Sequence, residues 1–418
     1  MRTQRSTLDG SLKAPPSKSY THRALFCSAL AHGESTLHSP LLCEDTRATS
    51  DALSRVGVTI KWHSQSAHVL GDGVLKQPQT IIHCGESGTT LRFMTAACAT
   101  TPYGAEISGG PSLLKRPVGD LAHALEELGA ECVSMAGFPP VRVRGPIRGG
   151  AVTLPGNVSS QYVSALLLAA PLAEEKVEIN VSGPLESKYY VDMTLDMQQV
   201  FGVRIDATDD LTEFQASGQA YIPSEVSVEG DWSSAACLLA AAAIAGNKVT
   251  VNGLNVRSRQ ADRSVLGVFQ RMGARVRCDS ESTTVERSQI VSVEIDVSNC
   301  PDLFPVICAL CATAAGTSRI TGIRRLRIKE SNRVQAMSEG LKEMGIQTSE
   351  TEDSYVVHGG KAHKAIVDPH RDHRIAMAFA VLGLSVGDVT IVDAECVGKS
   401  YPSFWPDLKS LGAKVTPT

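Results

Sequence analysis

Long apolar stretches, a large excess of one charge and abundant aromatic residues are all missing from this chain of 418 residues. The formal net charge of the chain is −4, which argues against a nucleic-acid binder with a basic surface. Aromatic residues make up only 5% of the chain, which argues against base-stacking platforms. The most apolar run, residues 235–245, is too short to cross a bilayer, and residues 1–10 lack the apolar core of a signal peptide. We therefore expect a cytoplasmic protein that binds neither nucleic acid nor membrane.

Spaced frameworks of cysteines or metal ligands are missing as well. The eleven cysteines follow no disulfide pattern, and several lie inside apolar runs, as reduced core residues do. Cys308 and Cys311 form a C-x-x-C pair, but this pair lies in an apolar run and has no second pair to complete a zinc site. His370, Asp372 and His373 share no obvious face, so we expect no metal there.

The chain does contain an internal repeat with a period of about 70 residues. In each repeat a polar cluster begins an Ala-rich apolar run, and a short amphipathic run later ends in glycine. Such a period suits an α+β unit with two helices and a few strands. The apolar runs begin near Ser19, Thr89, Ser160, Ser233, Asp302 and His373, and the glycines are Gly57, Gly129, Gly202, Gly273, Gly345 and Gly412.

The repeats divide the chain into two similar domains, because three of them precede residue 223 and three follow it. Few residues remain after Gly412, and residues 1–14 have no helix pair of their own. We therefore infer that the N-terminal piece completes the sixth repeat. The predicted domains are residues 1–14 together with 229–418, and residues 15–228, joined by two crossing segments over a cleft.

The polar clusters at the helix starts are the first indication of chemistry. A helix N-terminus offers unpaired N–H groups and a partial positive charge, so it attracts anions. A single such start is ordinary capping, but six at one period, several with Lys or Arg, favour a shared anion site. Lys18, Ser19 and Arg23 suit a phosphate or a carboxylate, although alone they also fit a capped surface helix.

Two further segments allow both a structural and a functional interpretation. Gly85 and Gly88 would let the backbone approach a ligand, yet the segment lacks the Gly-Lys-Ser/Thr ending of a nucleotide phosphate loop. From Arg325 to Lys329 basic and apolar residues alternate, which predicts a strand with one basic, solvated face. Glu330 follows among cations, where a carboxylate is well placed to transfer protons.

In order along the chain stand the motifs KSYTHR, SGTTLRF, KRPVGDL, GNVSSQYVSALLLAAPLA, ESKYYVDMT, EGDWSSAACLLAAAA, PDLFP, IKESNR, DHRIAMA and GKSYPSF. Their order and spacing resemble the 5-enolpyruvylshikimate-3-phosphate (EPSP) synthase family over essentially the whole chain. The resemblance implies an α+β fold of two similar domains, each of three βαβαββ units, with the active site in the inter-domain cleft. We expect a monomer.

The resemblance also implies an activity. The family transfers the enolpyruvyl group of phosphoenolpyruvate to the 5-hydroxyl of shikimate 3-phosphate, on the route to chorismate and the aromatic amino acids. The hydroxyl adds to C2 of phosphoenolpyruvate as C3 is protonated, and phosphate is then eliminated. No metal or organic cofactor takes part.

The resemblance assigns residues to each substrate. For shikimate 3-phosphate they are Lys18, Ser19, Arg23, Ser159, Ser160, Gln161, Ser187, Asp302 and Lys329. For phosphoenolpyruvate they are Lys18, Gly88, Arg116, Gln161, Arg333, Arg374 and Lys399. Asp302 is the candidate base at the hydroxyl, and Glu330, with Lys18 close by, is the candidate for moving the methyl proton. Which group acts in which step stays open.

Two positions depart from the family. Glu86 stands where the family commonly has Asn, and it adds an acid to the phosphoenolpyruvate loop. Arg325 stands where some members use Asn to contact the sugar-like ring of the substrate, and we do not assign this contact to Arg325.

Two alternative families or functions compete with this resemblance. The UDP-N-acetylglucosamine enolpyruvyl transferases have similar repeats but use a loop cysteine, and the corresponding loop here, SGGPSLLKRPVGDL, contains none. Their amino-sugar substrate also lacks the phosphate that Ser159, Ser160 and Ser187 would bind. An RNA-end-processing or RNA-binding protein on related repeats is disfavoured by the acidic balance and the few aromatic residues.

Overall fold

The computed structural model describes all residues from Met1 to Thr418 and divides them into two compact units. The terminal unit comprises Met1–Pro15 and Glu229–Thr418, and the inserted unit comprises Pro16–Val228. Each unit has its own hydrophobic core. None of the helices combines the length and the apolar character that a membrane span requires.

Twelve α-helices are distributed as two per repeat. They are α1 (Lys18–Leu30), α2 (Glu44–Arg55), α3 (Gly88–Cys98), α4 (Gly119–Glu127), α5 (Ser160–Ala169), α6 (Tyr189–Val200), α7 (Trp232–Ala245), α8 (Val265–Arg271), α9 (Phe304–Thr313), α10 (Arg333–Glu343), α11 (His373–Val386) and α12 (Phe404–Ser410).

Twenty-four short strands accompany the helices. They are β1 (Arg2–Thr3), β2 (Leu8–Lys13), β3 (His32–His38), β4 (Thr59–Trp62), β5 (Ser66–Asp72), β6 (Ile82–His83), β7 (Ala105–Ser108), β8 (Glu131–Met135), β9 (Phe138–Arg144), β10 (Gly150–Pro155), β11 (Val177–Ser182), β12 (Asp206–Ala207), β13 (Glu213–Ala216), β14 (Glu225–Ser227), β15 (Gly246–Asn252), β16 (Arg275–Cys278), β17 (Ser282–Glu286), β18 (Glu294–Asp296), β19 (Thr317–Thr321), β20 (Gln347–Glu350), β21 (Ser354–His358), β22 (Ile366–Val367), β23 (Val389–Ile391) and β24 (Val415–Thr416).

The strands form six four-stranded sheets that share one topology. In each sheet an edge strand pairs in parallel with the second strand, and two antiparallel pairings follow. The repetition confirms the α+β class and the six repeats that the sequence predicts. The orders are β14-β3-β5-β4, β6-β7-β9-β8 and β10-β11-β13-β12 in the inserted unit, and β2-β15-β17-β16, β18-β19-β21-β20 and β22-β23-β1-β24 in the terminal unit.

Some sheets are completed by strands that are distant in sequence. At the N-terminus, β1 pairs with β23 and β24, and β2 pairs in parallel with β15. The first residues of the chain therefore complete two sheets of the terminal unit. In the inserted unit, β14 pairs in parallel with β3, so the last strand of this unit completes its first sheet.

The glycine that follows the second helix of each repeat has a left-handed backbone. Its φ lies between 78° and 97° at all six positions. Glycine adopts this conformation without steric cost, and it ends a helix by turning the chain away from the helix axis. This is why a glycine recurs where each amphipathic run ends: Gly57, Gly129, Gly202, Gly273, Gly345 and Gly412.

The first helix of each repeat lies in the core of its unit, and α7 shows why. Apart from Ser233, every residue of α7 is buried, and half of the helix is alanine. A helix that is apolar on all sides can only be interior, and small side chains allow its neighbours α9 and α11 to pack closely. Cys308 and Cys311 are free and fully buried in α9, which confirms them as core residues.

The predicted strand from Arg325 to Lys329 is wrong. Residues Arg324–Ile328 form a 3₁₀ helix, in which residues three apart share a face. Ile323 and Leu326 are both fully buried, whereas Ile328, which an alternating strand would bury, is 49% exposed. Arg325 is not solvated either, since it is buried and its Nη2 donates to the Ser298 carbonyl oxygen at 2.7 Å.

Candidate active site

Most of the functional side chains predicted from the sequence lie at or just before helix N-termini, several of them at the inner helices. A side-chain oxygen caps the backbone N–H groups at five of these six helix starts. The sixth helix, α9, begins instead from the 3₁₀ turn Pro301–Leu303. Local capping chemistry thus fixes where each candidate residue emerges from the core. The caps are Ser17, Ser87, Ser159, Asp231 and Asp372.

Arg333 is the centre of a buried ionic network in the terminal unit. Its side chain is 1% exposed, and Nη1 lies 2.7 Å from Asp302 Oδ1 while Nη2 lies 3.0 Å from Glu330 Oε2. Nε lies 2.8 Å from Asp372 Oδ2. Burial alone would lower the pKa of Arg333, but the three carboxylates raise that pKa well above its usual value. The guanidinium therefore holds three acids in fixed positions.

Asp302 lies in the 3₁₀ turn that leads into α9, between two arginines. Its second oxygen, Oδ2, lies 3.3 Å from Arg374 Nη2. Burial by itself would raise the pKa of Asp302, but Arg374, Arg333 and Lys329 outweigh it and hold that pKa well below its usual range. In this state Asp302 is a weak base. An anion that neutralises these cations would raise its pKa again.

Arg374, the second residue of α11, is 3% exposed. Its Nε and Nη1 are buried and have no hydrogen-bond partner. Burial would lower the pKa of Arg374, but the charges of Asp302, Asp231 and Asp262 raise it above its usual value. Because buried donors are almost always hydrogen-bonded, these two nitrogens mark a place where an anionic ligand can bind.

Glu330 is held by two cations at the edge of the same network. One oxygen contacts Arg333, and the other, Oε1, lies 3.7 Å from Lys399 Nζ. Lys399 ends the 3₁₀ helix Ala394–Lys399 and is itself mostly buried. The Glu330 side chain is 13% exposed, so its carboxylate remains within reach of a ligand.

Two acids of this cluster were missed from the sequence. Asp372 is fully buried, accepts the backbone N–H of Arg374 at 2.9 Å and pairs with Arg333, so it orients both arginines. Asp262 is buried and accepts the hydroxyl of Ser233. Burial, together with the charge of Asp302, raises the pKa of Asp262 to about 7.

In the inserted unit, Lys18 begins α1 and pairs with an acid that the sequence did not reveal. Its Nζ lies 2.8 Å from Asp45 Oδ2, and both side chains are largely buried. Ser19 follows Lys18 on the same helix start. The ion pair with Asp45 fixes the lysine near the helix N-terminus, where an anion is favoured.

Arg23 lies one turn after Ser19 and ties α1 to α6. Its Nη1 donates to the Ser19 carbonyl at 2.9 Å, its Nη2 to the Tyr190 carbonyl at 2.6 Å, and its Nε to Thr194 Oγ1 at 2.8 Å. Burial lowers the pKa of Arg23 to about 10, so the group remains charged at neutral pH. The structure therefore fixes the Arg23 guanidinium beside Ser19.

Gly88 begins α3 against two guanidinium groups. A Cβ at this position would lie 2.7 Å from Nη1 of Arg116 and 2.7 Å from Nη1 of Arg92, so a larger residue would displace both. Arg92 Nη1 donates to Gln161 Oε1 at 2.5 Å, and Gln161 Nε2 donates to Thr89 Oγ1 at 3.0 Å. Gln161 thus joins the starts of α5 and α3.

The three candidate serines lie on two adjacent loops. Because β10 and β11 are parallel neighbours, the loops that follow them lie at the same edge of the sheet. Ser159 and Ser160 follow β10, Ser187 follows β11, and the backbone N–H of Glu186 donates to the Gly156 carbonyl at 3.1 Å. Ser187 is buried with a left-handed φ of 58°, a strained conformation that is concentrated at functional sites.

The predicted residues therefore divide into two groups, one in each unit. The inserted unit supplies hydroxyls and cations at the starts of α1, α3 and α5 and in the loops before α4 and α6, and the terminal unit supplies cations and acids at the starts of α9, α10 and α11 and at the end of the 3₁₀ helix Ala394–Lys399. The former are Lys18, Ser19, Arg23, Gly88, Arg116, Ser159, Ser160, Gln161 and Ser187, and the latter are Asp302, Lys329, Glu330, Arg333, Arg374 and Lys399.

Known proteins resemble this chain along nearly its whole length. The family described as EPSP synthase (3-phosphoshikimate 1-carboxyvinyltransferase) matches residues 2–408. A protein of Methanoculleus marisnigri named 3-phosphoshikimate 1-carboxyvinyltransferase is 42% identical over 415 residues, which is 98% of each chain. A protein of the same name from Halobacterium salinarum is 43% identical over 422 residues, covering 98% of this chain and 97% of its own.

Solved structures show the same similarity. An EPSP synthase from Acinetobacter baumannii superimposes with a TM-score of 0.83 at 28% sequence identity, covering 100% of this chain and 99% of that one.

Proposed function

This chain belongs to the EPSP synthase family and transfers the enolpyruvyl group of phosphoenolpyruvate to shikimate 3-phosphate, and from that premise we propose which of its residues perform the reaction. The reaction brings two anions together and moves protons without leaving a net charge behind. The cations and acids described above have the chemistry that both tasks require.

Shikimate 3-phosphate is assigned to the serine loops and to α1. Ser159, Ser160 and Ser187 offer hydroxyl donors beside the positive end of α5, which suits a phosphate. The strained, buried Ser187 supports the assignment because such a conformation is kept where a side chain must face a ligand. Gln161, Lys18, Ser19 and Arg23 extend this set, and Asp302 and Lys329 face the ring hydroxyls.

Phosphoenolpyruvate is assigned to the arginines and lysines. The observation that carries this assignment is Arg374, whose buried Nε and Nη1 have no hydrogen-bond partner. A guanidinium fork matches the geometry of carboxylate and phosphate oxygens. The remaining contacts are assigned to Lys18, Gly88, Arg116, Gln161, Arg333 and Lys399.

The addition step begins at the 5-hydroxyl of shikimate 3-phosphate. Its oxygen attacks C2 of phosphoenolpyruvate, and its proton passes to Asp302. When the substrate anions neutralise Arg374 and Arg333, the pKa of Asp302 rises from its depressed value, so this carboxylate becomes a base only in the loaded enzyme. Once the same anions neutralise Arg333 and Lys399, Glu330 can carry a proton, which it delivers to C3, with Lys18 as a second candidate for this transfer.

The elimination step reverses the proton transfer at C3. Glu330, left ionised by the addition, removes a proton from the C3 methyl group while the C2–O bond to phosphate breaks. The fixed cations stabilise the departing phosphate in place, so little reorganisation is needed as charge moves onto it. The departing phosphate takes the proton that Asp302 received in the addition, so both acids return to their starting states, and the products are the enolpyruvyl ether and inorganic phosphate.

We expect Arg374→Met to raise the KM for phosphoenolpyruvate by roughly 10-fold to 100-fold, the effect of losing hydrogen bonds to a charged group. The KM for shikimate 3-phosphate should change little. Arg371→Met is the matched control. Arg371 precedes the same helix, but its side chain is 85% exposed and its ion pair with Asp393 is long, at 3.7 Å. Steady-state kinetics with each substrate varied in turn measures both constants. Equal changes in the two KM values would contradict the assignment.

A further inference from the structure

Glu86 lies between β6 and α3, two residues before Gly88, and its carboxylate binds another loop. Oε2 accepts the hydroxyl of Ser112 at 2.5 Å and the backbone N–H of Leu113 at 2.9 Å. Oε1 is 3.4 Å from the backbone nitrogen of Ser112. A Cβ at Gly110 would overlap Oε1, so the carboxylate packs directly on the backbone of this loop.

The loop that Glu86 binds leads directly to Arg116. Leu113 is fully buried and begins the 3₁₀ turn Leu113–Lys115, and the backbone N–H of Arg116 donates to the Leu113 carbonyl at 3.0 Å. The backbone N–H of Gly110 donates to the Gly85 carbonyl at 2.7 Å, which joins the same two loops a second time. The side chain of Arg116 then returns to Gly88.

We propose that Glu86 is a positioning residue for phosphoenolpyruvate, which acts by holding the Ser112–Arg116 turn so that the Arg116 guanidinium stays over Gly88. This inference rests on the proposed function, in which Arg116 contacts phosphoenolpyruvate. It accounts for an acid beside an anion site, because the Glu86 carboxylate accepts hydrogen bonds from the turn and orients a cation toward the substrate.

The geometry explains which substitutions preserve this role. The two short hydrogen bonds both end on Oε2, so the carbonyl oxygen of glutamine can accept both of them. Glu86→Gln therefore keeps the turn in place, whereas Glu86→Ala releases it. Ser112→Ala removes one of the two short hydrogen bonds, so its effect should lie between those of Glu86→Gln and Glu86→Ala.

The test compares Glu86→Ala, Glu86→Gln, Arg116→Met and the double variant Glu86→Ala/Arg116→Met. We expect Glu86→Ala to raise the KM for phosphoenolpyruvate about tenfold or more, and to leave the KM for shikimate 3-phosphate unchanged. Glu86→Gln should restore near-normal values. The double variant should match Arg116→Met alone, because a residue that acts only through Arg116 adds nothing once Arg116 is gone.

Glu106→Ala is the matched control, since Glu106 lies on β7 of the same sheet and pairs only with Arg142 at the surface. If the losses of the two single variants added up in the double variant, or if Glu86→Ala changed both KM values equally, only the role proposed for Glu86 would be overturned. If Arg116→Met had a normal KM for phosphoenolpyruvate, the assignment of Arg116 to this substrate would be overturned, and this inference with it. The two failures are therefore distinguishable.

Discussion

Glu330→Gln is expected to lower kcat roughly 100-fold or more while the fold stays intact. Glutamine keeps the shape of the side chain and can still contact Arg333 and Lys399, but it cannot deliver or remove a proton at C3. The loss should therefore appear in the chemical step. Deuterium incorporation at C3 during turnover in heavy water measures that proton transfer directly, and it should slow in parallel with kcat.

Glu339→Gln is the matched control for this prediction. Glu339 lies on α10, the helix that Glu330 precedes, but its side chain is 50% exposed and pairs with His370 at the surface. Its replacement should leave kcat near normal. Asp302→Asn tests the other acid, and we expect a loss of similar size because the hydroxyl then lacks its base. A variant with near-normal turnover would show that its acid is not the proton carrier.

Arg333→Met is expected to destabilise the protein by about 3–5 kcal/mol, the effect of leaving buried charges without their partner. Asp302, Glu330 and Asp372 all lose a contact of 3.0 Å or less, and Asp372 is completely buried. Methionine fills a similar volume but cannot donate hydrogen bonds. Equilibrium urea unfolding followed by fluorescence and circular dichroism measures the change.

The pH dependence of this effect provides an internal check. The folded pKa of Asp302 is depressed, so its contribution to stability is present above the unfolded value of about 4 and is lost as the pH falls below it. The difference in the free energy of unfolding between wild type and Arg333→Met should therefore become smaller under acid conditions. Arg327→Met is the control, because Arg327 makes a partly exposed pair with Glu350 at 3.4 Å and should cost about 1 kcal/mol or less. If Arg333→Met destabilised the protein as little as Arg327→Met does, the result would contradict the ionic network around Arg333.

The fold was predictable because its signals are local. A glycine with positive φ ends the second helix of every repeat, and capping residues begin most of the inner helices, so a period of about 70 residues is visible in the sequence. The segment after Ile323 was misassigned because alternation over five residues also fits a 3₁₀ helix, and the exposure of Ile328 decides between them.

The candidate site was only partly predictable, for a different reason. Cations and hydroxyls at helix starts are visible in sequence, but their acidic partners are brought in by the fold. Asp45 reaches Lys18 from the next helix, and Asp372 reaches Arg333 across 39 positions of sequence. No spacing rule connects such residues. The role of Glu86 was hidden in the same way, because its partner Ser112 lies on another loop.

The most direct test of the central claim is phosphate release from phosphoenolpyruvate with one acceptor at a time. With shikimate 3-phosphate, we predict continuous release that matches, mole for mole, an enolpyruvyl ether identified by mass spectrometry. With UDP-N-acetylglucosamine, or with no acceptor, we predict no release above background. Release that requires the amino sugar, or that proceeds equally well without shikimate 3-phosphate, would contradict the account.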